Sequence, residues 1–83
     1  MSAADLTPTQ REFLKLALLA AWRDARTFKA DAVCAWLKIL EADCDALLAW
    51  GERHGLLARS PSGEAAFTDA GVDLASALRS AEG

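Results

Sequence analysis

The chain has 83 residues, a formal net charge of −3, 53% hydrophobic residues, five glycines, two prolines and no tyrosine. That length supports one domain around one modest core, and the composition is neither disordered nor fibrous. The longest apolar run, LALLAAW at 16–22, is too short to cross a bilayer, and MSAADLTPTQ at the start lacks the basic-then-apolar layout of a secretory signal.

The first helix opens at LTPTQREF. Thr7 suits the N-cap, Pro8 the first helical position, and Gln10 can close a capping box onto Thr7. The helix is expected over 8–25, with Phe13, Leu14, Ala17, Leu18 and Ala21 on its core face. Leu16, Leu19 and Trp22 fall outside that face, which predicts a second apolar contact. ARTFKADAVCAWLKI reads as a loop followed by a second helix over 29–38. Val33, Cys34, Trp36 and Leu37 are its apolar positions, with Trp36 as a core anchor.

A third helix is expected over 41–54. Its inner face is Leu40, Cys44, Leu47, Leu48 and Gly51; Ala42, Ala46, Ala49 and Arg53 point outward, flanked by Glu41, Asp45 and Glu52 on one side and by Asp43 and Trp50 on the other. His54 sits where a helix C-terminus favours it, and Gly55 supplies a left-handed stop. LLARS and EAAFT, joined by PSG, read as a two-stranded hairpin over 56–68, with Leu57, Ala65 and Phe67 inward. Thr68 caps a last helix over 69–80, whose apolar residues are Val72, Leu74, Ala75 and Leu78.

Cys34 and Cys44 lie within apolar helical patterns and are expected as reduced, buried thiols of a cytoplasmic protein. With no Cys-x-x-Cys and one histidine, no metal site is expected. No phosphate loop, nucleophile elbow or second domain is present in the sequence, so neither enzyme chemistry nor a cofactor is expected.

Three helices, a hairpin and a closing helix describe a mainly α protein of order α-α-α-β-β-α, one domain spanning 1–83 with its core over 8–80. That order resembles the winged helix-turn-helix. LKILEADCDALL (37–48) matches the rhythm of that family's turn and third helix, and GERHGLLARS (51–60) resembles its entry into the wing. FTDAGVDLASAL (67–78) resembles the start of the last helix in MarR-like and PadR-like regulators. The resemblance implies a dimeric DNA-binding regulator with its third helix in the major groove. Lys38 stands where the family has its turn glycine and Leu40 where it has a small polar cap.

The charges argue against that implied role. Residues 1–29 carry five basic groups (Arg11, Lys15, Arg23, Arg26, Lys29) against three acids, or +2; residues 30–83 carry four against nine, or −5. The half that should meet phosphate is the acidic half. The positions that would face bases are Glu41, Ala42, Asp45, Ala46 and Ala49, and Arg59 is the wing's one cation. The expected function is therefore a small regulatory module that binds protein, an adaptor or an inhibitor such as some phages make against host defence. Its docking residues are Glu41, Ala42, Asp45, Ala46, Ala49, Trp50 and Arg53. A homodimer, or another protein contact, is expected through Leu16, Leu19 and Trp22. The alternative is a DNA-binding transcriptional regulator using Lys38, Arg53 and Arg59, or a second basic patch drawn from residues 11–29. The least favoured class is a structural part of a larger assembly.

Overall fold

In a computed structural model, which describes residues 5–21, 26–60 and 64–82, the element order is α1 (Pro8–Ala21), β1 (Thr27–Lys29), α2 (Ala30–Leu37), α3 (Glu41–Arg53), β2 (Leu57–Arg59), β3 (Glu64–Phe67) and α4 (Asp69–Glu82). The chain is mainly helical with a small antiparallel sheet, as expected. The sheet has three strands rather than two, in the order β1-β3-β2. No described helix is long and apolar enough to cross a membrane.

Local chemistry accounts for the helix ends. Thr7 and Gln10 form the reciprocal capping box: the Thr7 amide donates to Gln10 Oε1 at 2.9 Å and the Gln10 amide to Thr7 Oγ1 at 3.1 Å. α1 begins at Pro8, whose missing N–H is harmless in a first turn. Its expected extension through 22–25 lies outside the described residues. α3 runs out at His54, and Gly55 follows with φ +70. Thr68 caps α4: its Oγ1 accepts from the Gly71 amide at 3.1 Å and donates to the Gly55 carbonyl at 2.6 Å. One threonine thereby ties the start of α4 to the end of α3.

β1 replaces what the sequence reads as loop. It pairs antiparallel with β3, Thr27 opposite Ala66, Phe28 opposite Ala65 and Lys29 opposite Glu64. β2 pairs on the other side of β3, Leu57 opposite Phe67 and Arg59 opposite Ala65. Three residues are too few to display a period of two, so this strand is set by pairing with β3 rather than by its own pattern. The tight connection expected at Pro61, Ser62 and Gly63 lies outside the described residues.

The core joins one face of each helix to the sheet. Phe13, Leu14, Ala17, Leu18 and Ala21 of α1 are all buried, as are Val33, Cys34, Cys44, Leu47, Leu48, Leu57, Ala65, Phe67, Ala75 and Leu78. Phe28 is the aromatic hub, its ring 6.1 Å from Phe13 edge-on and 5.3 Å from Phe67. Val72, Leu74 and Leu16 are partly buried at its margin.

Two residues expected inside are outside. Trp36 is 64% exposed and Leu40 73% exposed. Ala30, Val33, Cys34 and Leu37 define the inner stripe of α2, and at 100° per residue Trp36 falls about 110° from its centre; Phe28 occupies the anchoring role assigned to it. Leu40 is the N-cap of α3, with extended backbone at φ −71, ψ 154. The helical face of α3 therefore does not extend back to Leu40, and the adjacent Ile39 packs on the core instead.

Candidate functional site: the corner between α2 and α3

The corner consists of two helices joined by Lys38, Ile39 and Leu40. Lys38 occupies the left-handed region, φ 57 and ψ 40, a conformation that glycine adopts most readily at a helix C-terminus. Its amide donates to the Ala35 carbonyl at 3.2 Å and the Ile39 amide to the Cys34 carbonyl at 3.3 Å, closing α2. The Cys44 amide donates to the Leu40 carbonyl at 2.9 Å, opening α3. Neither Lys29 at the start of α2 nor Leu40 at the start of α3 offers a side-chain cap. Glu41 and Asp43 in the first turn of α3 complement the positive end of its dipole.

A disulfide crosses the corner. Cys34 and Cys44 are bonded, with Cα atoms 5.9 Å apart, within the usual range for such a bridge. This corrects the expectation of two reduced thiols: the helices bring their inner faces together at these two positions, and apolar burial accommodates a disulfide as readily as two thiols. The bridge also removes the ground on which a reducing compartment was expected.

The outer face of α3 is as expected: Glu41, Ala42, Asp45, Ala46, Ala49 and Arg53 are exposed. Trp50 is half-buried, its ring 5.7 Å from that of His54. It borders a groove of about 370 Å³ between the start of α1 and α3, lined by Thr7, Gln10, Ile39, Asp43 and Ala46 among others. Trp36 and Leu40 add two large apolar side chains to the same corner, four residues apart in the chain. The sequence signal for Trp36 was its angular distance from the Val33–Cys34 stripe.

The cations do not gather on this surface. The Arg59 guanidinium, expected to face DNA in the alternative reading, is held by α3: Nε lies 2.7 Å from Glu52 Oε1, and Nη2 donates to the Asp45 carbonyl at 3.2 Å. Lys38 and Arg53 are exposed. Asp31, Glu41, Asp43 and Asp45 are exposed too and make no ion pair among the described residues. These exposed acids outnumber the exposed cations on α2, the turn and α3, which also carry exposed Trp36 and Leu40. The other basic group is also dispersed: Lys15 lies 2.9 Å from Glu12, and Arg26 pairs with Asp69. Arg23 is outside the described residues.

Of the residues expected to associate through α1, Leu19 is 49% exposed, Leu16 is half-buried against the core, and Trp22 lies outside the described residues. The structure thus leaves Leu19 as the described apolar residue of α1 that faces solvent. No protein-family model, characterised protein or solved structure matches the chain.

Proposed function

We propose that this chain is a small regulatory winged-helix protein that docks onto a partner protein through the α2–α3 corner and the outer face of α3. The helix-turn-helix of α2 and α3, followed by the antiparallel β2–β3 pair and a closing helix, supports the winged-helix reading. The observation that carries the docking reading is the exposure of Trp36 and Leu40 beside Glu41, Asp43 and Asp45. Exposed tryptophan is enriched among residues that anchor interfaces. Carboxylates on the same two helices as such an anchor favour a partner that combines apolar and cationic groups.

The same carboxylates oppose duplex DNA. Phosphate contacts supply much of the affinity of DNA-binding proteins, and here Arg59 is already engaged while Lys38 and Arg53 face at least four acids. The test is a titration of labelled duplex DNA at several salt concentrations. The expected result is weak binding at physiological salt, with nonspecific affinity rising in Glu41→Lys/Asp45→Lys. A tight, salt-sensitive complex weakened by Arg53→Ala would establish the DNA-binding regulator instead. Leu19 supports a second contact, self-association through α1, independent of the corner.

A further inference from the structure

The Cys34–Cys44 bridge closes a loop with a sequence separation of 10, and that loop contains the whole corner. Both cysteines are buried at the level of the residue, 5% and 4% exposed, yet they line a groove of about 360 Å³ together with Asp31, Ala35, Ile39 and Glu41. The bridge therefore belongs to the core cluster and borders an open groove from within it. Apart from the packing of Leu37 and Ile39 on the core, the restraints local to the turn are these. Three backbone hydrogen bonds close and open the helices, neither helix start has a side-chain cap, and Lys38 holds a left-handed conformation. By contrast, the Phe13–Phe28–Phe67 cluster and the α1–α4 packing lie outside the loop.

We propose that Cys34–Cys44 is a thiol–disulfide exchange site whose redox state sets the rigidity of the α2–α3 corner, and that its reductant is a small dithiol free of carboxylates. A thiolate of the dithiol attacks one Sγ, the protein S–S bond breaks, and the other cysteine leaves as a thiolate that takes a proton. The second thiolate of the dithiol then resolves the mixed disulfide. The dithiol departs as a cyclic disulfide, and the protein gains two electrons and two protons as two thiols. Asp31 and Glu41 in the groove set the preference: an anionic monothiol such as glutathione brings further negative charge against them, and that repulsion is strongest at low salt. The consequence for docking rests on the proposed function, since Trp36 and Leu40 lie within the stapled segment and are held in one arrangement only while the bridge is closed. The exchange itself does not depend on that reading.

The test needs no partner. The full chain, purified in air, is alkylated and weighed before and after dithiothreitol, and amide exchange is measured in both states. The expected result is no reactive thiol before reduction and two after it. Exchange at the Lys38, Ile39 and Cys44 amides rises by roughly tenfold or more, while amides of α1 and α4 keep their protection. The Cys34→Ser/Cys44→Ser protein should exchange like the reduced form. Asp31→Asn/Glu41→Gln should speed reduction by glutathione a few-fold at low salt and change reduction by dithiothreitol less. Free thiols in the air-purified protein, unchanged exchange at the corner, or simultaneous loss of protection in every helix would each overturn the proposal. An equal response of both reductants to the charge change would overturn its reductant class. If the exchange results hold and no partner docks at the corner, the docking reading fails and the exchange site stands.

Discussion

Arg59, at the end of β2, reaches across to α3 and pairs with Glu52, Nε to Oε1 at 2.7 Å, while its Nη2 donates to the Asp45 carbonyl at 3.2 Å. The guanidinium that the DNA-binding alternative would offer to phosphate instead braces the sheet against α3. Both partners are 43% exposed, so water screens the pair and its contribution is on the order of 0.2–1 kcal/mol. Arg59→Ala is expected to lower the urea midpoint slightly and leave DNA affinity unchanged. A clear fall in DNA affinity would mean that the guanidinium leaves Glu52 to bind phosphate.

Lys38 is held in the left-handed region without being glycine. At φ 57 its Cβ is disfavoured, and glycine adopts this conformation freely. Lys38→Gly is expected to stabilise the protein by about 0.5–1 kcal/mol, read as a higher urea midpoint at an unchanged slope. A loss of stability would show that the left-handed turn is not the ground state of the corner.

Two helical glycines make close packing possible, with different tolerance. A Cβ on Gly71 would lie 2.0 Å from the Leu56 carbonyl oxygen and 2.9 Å from Phe67 Cδ1. Backbone cannot step aside as a side chain does, so Gly71→Ala is expected to cost about 3 kcal/mol or more. A Cβ on Gly51 would meet the Leu57 side chain, its Cδ1 at 2.4 Å, and a rotamer change limits the cost of Gly51→Ala to about 1–3 kcal/mol. Thermal unfolding of the two variants checks the order; equal losses would contradict it.

Leu19 is the exposed apolar residue of α1, 49% accessible. If α1 mediates self-association, Leu19→Glu combined with Trp22→Ala should lower the apparent mass in sedimentation from dimer to monomer. A native protein that stays monomeric at high concentration would exclude the dimer.

Elements that declare themselves through local chemistry were legible in the sequence: the Thr7–Gln10 capping box, the Gly55 stop, the Thr68 cap and the core stripe of α1. Features produced by long-range pairing were not. β1 exists because Phe28 and its neighbours pair with a strand more than thirty residues away, and the disulfide because two helix faces meet at Cys34 and Cys44. At the candidate site the acidic and alanine positions of α3 were readable from its period. Leu40 reads as inward only when the helical face is extended one residue beyond the helix, and Trp36 only when size is given priority over angle. Both readings conceal the exposed apolar residues of the corner.

Under the proposed function, the α2–α3 corner meets protein and not nucleic acid. The most direct test of this is site-specific photocrosslinking in extract, with the photoreactive side chain at Ala42 on the exposed face of α3 or, as control, at exposed Ala77 on α4. The expected result is a protease-sensitive, nuclease-resistant adduct with one basic protein from position 42. That adduct should be absent from position 77 and lost on Trp36→Ser/Leu40→Ser or Glu41→Lys/Asp45→Lys. A nuclease-sensitive adduct from position 42, or the same protein adducts from both positions, would contradict it.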